Sequence, residues 1–222
     1  MAITDYASLK TTIASWMHRS DTTTRDDEAI DNFEAKVNRR LRVKDLETTT
    51  TGNMVAGTAT ISFPTSHTEI RSITYVPTTG AIRKLEYITL EQADALEFQA
   101  SGLPQYYTTA GNAIRFYPTP DSTYAYTIKH YQRVAALSST SGYTTNWLLS
   151  NNPDLYLYGS LVELCAYTGD DPRLAIWKQA VEEGLAELIR ADRRERFKSP
   201  QVQFDPEIGG RRMTRDIETD GE

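Results

Sequence analysis

The side chains best able to do chemistry are three histidines, one cysteine and two acidic runs. Their spacing builds no recognised catalytic or metal-binding constellation. His18, His67 and His130 lie in three separate segments, none at metal-ligand or general-base spacing. Cys165 falls in the most apolar stretch, where a thiol reads as inert packing rather than a nucleophile. As the single cysteine it also excludes an intrachain disulfide and any zinc site built on two thiolates. Asp170-Asp171 could be imagined as a metal pair, but Asp171 directly before Pro172 reads more simply as a helix cap. Asp26-Asp27-Glu28 reads as the negative first turn of a helix, where the dipole favours acids. Gly102-Leu103-Pro104 and Gly209-Gly210 lack the strand–loop–helix context and the lysine of a phosphate loop, and no Gly-x-Ser-x-Gly elbow occurs. The reading is a non-enzyme with no catalytic, metal or cofactor-binding residue.

Two basic clusters remain. Lys36, Arg39, Arg40, Arg42 and Lys44 close a helix without an acid among them. Cations suit a helix C-terminus, so the run reads as solvated surface, a partner-protein contact or a DNA-facing patch. Arg190, Arg193, Arg194 and Arg196 are interleaved with Asp192 and Glu195, which suits ion pairs across a protein interface better than phosphate tracking. The whole chain of 222 residues carries 30 acids against 24 bases, a net charge of -6. That balance argues against a general nucleic-acid binder. No apolar run approaches the roughly 20 residues that span a bilayer. Met1 to Asp5 lacks the basic and apolar regions of a signal peptide, so assembly in the cytoplasm is expected.

The elements that must position these residues fall into zones. Asp5 to Met17, after a Thr4 cap, places Tyr6, Leu9, Ile13, Trp16 and Met17 on one helical face. A second helix from about Thr24 buries Ile30, Phe33, Val37 and Leu41. From Thr48 the pattern turns to short β-segments at Thr58–Phe63, Ile70–Val76, Ile82–Ile88, Tyr106–Thr109, Ala113–Tyr117 and Tyr124–Tyr131. One helix, capped by Thr89 with Gln92 and stopped at Gly102, interrupts them. Asn152 before Pro153 predicts a capped, nearly all-apolar helix to Tyr167, and a long helix follows from Pro172 to Phe197. Gly184, inside that last helix, is expected to mark a close helix crossing. Residues 198–222 are too polar to fold alone and suit an extended arm laid across a neighbour.

The predicted class is α+β. Helices at 1–47 and 147–197 form a bundle, an antiparallel sandwich or barrel-like domain with one short helix is inserted at 48–146, and the arm follows. Several pieces resemble the head-to-tail adaptor (connector) proteins of tailed bacteriophages. They are Phe33–Glu47, Thr145–Leu149 with Pro153–Gly159, Gly102-Leu103-Pro104 with Tyr106, and Ile114–Pro118 with Pro120. The similarity continues through Asp170-Asp171, Arg173, Trp177 and Ala191–Arg194, so it covers residues 33–197.

The resemblance implies a structural virion protein of the neck: a homo-oligomeric ring, typically twelve-fold, beneath the portal protein. Tail nozzle or fibre proteins meet its other side, and DNA passes through the channel without specific binding. Arg190, Arg193, Arg194, Arg196, Phe204, Arg211 and Arg212 are then the expected portal or inter-subunit contacts. Lys36, Arg39, Arg40, Arg42 and Lys44 are the expected channel or partner contacts, or the DNA-binding surface of the competing reading.

Overall fold

A computed structural model describes residues 2–19, 23–95, 101–139, 143–169 and 171–196. Helix α1 (Tyr6–Met17) is capped by Asp5 rather than Thr4, because the Asp5 carboxylate accepts the Ser8 N–H while Ser8 Oγ accepts the Asp5 N–H. It buries Tyr6, Leu9, Ile13 and Met17, whereas Trp16 stays at the rim with its ring edge on Tyr158. Helix α2 (Thr23–Arg40) buries Ile30, Phe33 and Val37, with Leu41 just beyond its end. Of the acidic triplet only Asp26 lies in the first turn. Asp27 instead accepts the Tyr6 hydroxyl and pairs with Lys10, tying α1 to α2.

One 3-10 turn (Lys44–Leu46) leads into the strands: β1 (Glu47–Met54), β2 (Thr60–Ser62), β3 (His67–Val76), β4 (Arg83–Lys84), β5 (Glu86–Tyr87), β6 (Tyr106–Ala110), β7 (Ala113–Tyr117) and β8 (Tyr124–Gln132). They form two four-stranded sheets, ordered β1-β8-β3-β4 and β2-β7-β6-β5. The first is antiparallel throughout. The second contains the parallel pair β5–β6, so the expectation of a wholly antiparallel domain does not hold. Neither sheet closes into a barrel. Both sheets contribute to one buried cluster, with Met54, Ile73 and Ile128 from the first and Tyr107, Ile114 and Phe116 from the second.

The expected single strand Ile82–Ile88 is split. The buried Leu85 donates its N–H to Ile73 O, so the chain leaves one sheet there and enters the other. Helix α3 (Leu90–Ala95) starts with the expected Thr89–Gln92 box; residues 96–100 lie outside the described part. The loops at Gly102 and Pro120 meet in a short bridge, and Tyr75 donates its hydroxyl to Pro104 O beneath them.

The chain returns to helix at α4 (Trp147–Asn151), followed by α5 (Pro153–Thr168) and α6 (Leu174–Arg196). Asn152 makes no side-chain cap to α5; it is Asn146 that caps, accepting the Leu149 N–H at the start of α4. Pro153 does occupy the first turn of α5. Asp171 accepts the Arg173 N–H at the entrance to α6, while Asp170 lies outside the described residues. Helices α1, α2, α4, α5 and α6 bury a second, shared apolar cluster.

Candidate functional site

The residues that could have done chemistry are placed as structure. His18 caps α1 in the left-handed region, His67 stacks on Phe63, and His130 is buried against Thr50 Oγ1 at 3.0 Å. Cys165 is buried, which pushes its thiol above the ordinary range. Among the described residues no group of three or more His, Cys, Asp or Glu could hold a metal ion. No helix among them is long and apolar enough to cross a membrane.

The most constrained arrangement joins α2 to α5. A Cβ on Gly159 would lie 2.2 Å from the Phe33 ring, so α5 exposes bare backbone where α2 crosses it. The Phe33 ring also meets Tyr156 edge-on at 5.5 Å. The expected crossing residue, Gly184, is looser, its Cβ position lying 3.2 Å from one Leu155 methyl.

Beside Phe33, the buried Glu34 accepts hydrogen bonds from the Tyr156 hydroxyl (2.9 Å) and the Leu137 N–H (3.0 Å). Asn146 donates to both Tyr156 Oη and Ala135 O, and Asn38 accepts the Val134 N–H. Burial raises the Glu34 carboxyl to about 7. This network straps the segment that returns from β8 onto α2 and α5. Glu34, Asn146, Tyr156 and Gly159 were not picked out from sequence. The available signal was Glu34 itself, an acid at a stripe position four residues after Ile30 and three before Val37. A groove of about 1260 Å3 runs along the outside of this strap, and Arg39 opens onto it.

The basic run at the end of α2 is largely neutralised within the chain. Lys36 pairs with Glu163 of α5 at 2.5 Å, Arg40 makes a two-pronged pair with Glu182 of α6 at 2.6 Å, and Arg42 meets Glu69 of β3 at 3.1 Å. Three acids from three elements therefore occupy the cations that a DNA patch would need. Arg39 and Lys44 remain exposed, and the Lys44 N–H is received by Asp192 at 2.6 Å.

The end of α6 has two different faces. Asp192 and Arg196 pair with each other at 2.7 Å, and Arg196 also donates to Tyr131 Oη at 3.2 Å and approaches Glu47. That face fastens the helix to the first sheet, so Arg196 is an internal clamp. Arg190, Arg193 and Arg194 are exposed and have no acid partner among the described residues. Phe204, Arg211 and Arg212 lie outside the described residues.

The two segments carrying the clearest resemblance, Phe33–Glu47 and Thr145–Gly159, are the two that interlock through Phe33–Gly159 and Glu34–Tyr156–Asn146. A family model described as SU10 adaptor protein matches residues 4–203. The chain belongs to the SU10 adaptor protein family. It is thus a bacteriophage adaptor, a structural component of the virion that interacts with head and tail components. The family match starts before α1, so it takes in residues 4–32, which the resemblance over residues 33–197 does not reach. No curated protein matches the chain.

Proposed function

We propose that this SU10 adaptor family member assembles into a ring at the portal vertex, joins the capsid to the tail, and forms part of the channel through which DNA passes. The observation that carries this reading is the divided end of α6. One side is locked to its own sheet by Asp192 and Arg196, and the other offers Arg190, Arg193 and Arg194 with no acid to meet them among the described residues. A row of unpaired guanidinium groups on a rigid helix suits carboxylates of a second protein, either the portal or the next protomer. Residues 198–222 are proposed to take part in the same contact, and the two sheets to offer surface to tail proteins. Head-to-tail contacts of this kind close into a ring when the rotation per subunit closes. Net negative charge over the chain suits a conduit in which DNA slides.

The test is imaging of the full chain with and without portal rings. Coaxial rings docked on portal are expected. Deletion of residues 198–222 should leave the fold intact and abolish docking; undiminished docking by the truncated chain would remove the arm from the mechanism.

A further inference from the structure

Along its second half, helix α6 turns one face to solvent, and the charges on that face are sorted by sign. Glu183, Glu187, Arg190 and Arg194 fall within about 60° of one another around the axis, at about 100° per residue. All four are exposed. Among the described residues none of them makes an ion pair, and Glu183 accepts only the Gln179 side-chain amide at 2.7 Å.

A stripe that stabilised its own helix would set an acid four residues before a base. Here acid precedes acid and base precedes base at that spacing, which costs the isolated helix stability in both halves of the stripe. The face of α6 that is fastened to the first sheet keeps the favourable order, with Asp192 and Arg196 bonded at 2.7 Å. One helix thus satisfies its own charges where it is anchored and leaves them sorted where it is bare.

We infer that the bare face pairs with the same face of a second copy of this chain, the two α6 helices running antiparallel. The order of charges is self-complementary about a point midway between Glu187 and Arg190. A two-fold axis at that point sets Glu187 level with Arg190 of the second copy, and Glu183 level with its Arg194. Symmetry repeats both pairs, so every charge on the stripe is met. Ala186 and Ala191 flank the axis and are related by it in the same way, and their short side chains let the helices approach. Parallel helices in register would oppose like charges instead. Arg193 lies about 90° off the stripe and takes no part.

Exposed ion pairs are individually weak and screened by salt, so the contact is a reversible one between free chains. A contact of this symmetry closes on itself and cannot build a ring, so it is distinct from the subunit contact of the proposed ring. It engages Arg190 and Arg194, and paired chains therefore separate before those arginines meet the portal.

Sedimentation velocity of the isolated full-length chain tests the pairing without portal, so it fails separately from the proposed function. A dimer is expected at low salt, its dissociation constant rising about tenfold or more between roughly 0.05 and 0.5 M salt. Glu183→Arg/Glu187→Arg leaves a stripe of arginines, and Arg190→Glu/Arg194→Glu leaves one of glutamates. Each variant alone should be monomeric. Mixed in equal amounts, the two should form a heterodimer, which only folded partners can do. A natural chain that shows no dimer at any concentration overturns the inference. So does a dimer that survives either double replacement, or a mixture that stays monomeric.

Discussion

A Cβ on residue 159 would sit 2.2 Å from the Phe33 ring, a separation carbon atoms do not adopt, so Gly159→Ala must push α2 away from α5. Overpacking of this kind costs about 3 kcal/mol, and the melting temperature should fall by roughly 10 °C. Gly184→Ala is the control. Its Cβ meets only a buried Leu155 methyl at 3.2 Å, which need give by only a few tenths of an ångström, and the roughly 1 kcal/mol gained in helix propensity offsets the crowding. Its melting temperature should stay within about 2 °C of the natural chain.

Glu34 gives a pH signature. Its carboxyl is raised from 4.5 to about 7, so the folded chain holds that proton more tightly than the unfolded chain does. Its contribution is then most favourable below pH 4.5, declines as pH rises toward 7, and is flat above. The decline is on the order of 3 kcal/mol. Glu34→Gln keeps an acceptor for the Leu137 N–H and removes the charge. Scanning calorimetry at pH 5 and pH 8 should show a smaller difference between the two conditions in the variant than in the natural chain.

Between elements, the decisive contacts are few. Asp192→Ala removes the acceptor for both the Lys44 N–H and the Arg196 guanidinium, and should cost about 1–2 kcal/mol. Faster hydrogen exchange at residues 43–47 and 190–196 would report the freed helix end. Arg40 and Glu182 are more than half exposed, and a double-mutant cycle between them should give a coupling below about 1 kcal/mol. Replacing Arg39 and Arg40 should leave DNA retention unchanged, measured by titration at low salt. Strong salt-sensitive binding that those replacements abolish would restore the nucleic-acid reading.

The helices and most strands were legible because periods of 3.6 and 2 are local properties of the chain. What joins them was not. β1 pairs with a strand 70 to 84 residues further along the chain, from Met54↔Tyr124 to Glu47↔Tyr131. The apolar residues of Ile82–Ile88 give no sign that the chain changes sheets at Leu85, because its partners Ile73 and Tyr106–Tyr107 come to it only through the tertiary fold. Asn152 and Asn146 both precede helices, and only the backbone angles reached after folding decide which one caps. Arg196 read as a partner contact for the same reason, as Tyr131 and Glu47 come to it only through the tertiary fold. The interlocking of Phe33 with Gly159 was hidden in an ordinary apolar stripe.

For the molecule as a whole, the proposed docking sets the free face of α6 against the portal. Replacing Arg190, Arg193 and Arg194 together by glutamate touches no ion pair among the described residues, so the melting temperature should move by less than about 2 °C. Docking to portal rings, scored by co-sedimentation, should be lost. Retained docking by a variant of normal stability would move the interface elsewhere on the molecule. The double attachment of helices to sheets has a mechanical side. The chain crosses between the two layers at Leu46–Glu47 and again at Gln132–Val134, and α6 adds a third anchorage at Tyr131 and Glu47. Two crossings alone would act as a hinge, about which the sheets could swing. The third anchorage braces that hinge, so a torque delivered at the sheets passes into the helical layer as strain and not as rotation. Such a subunit behaves as a bracket, which carries load from one layer to the other without yielding between them.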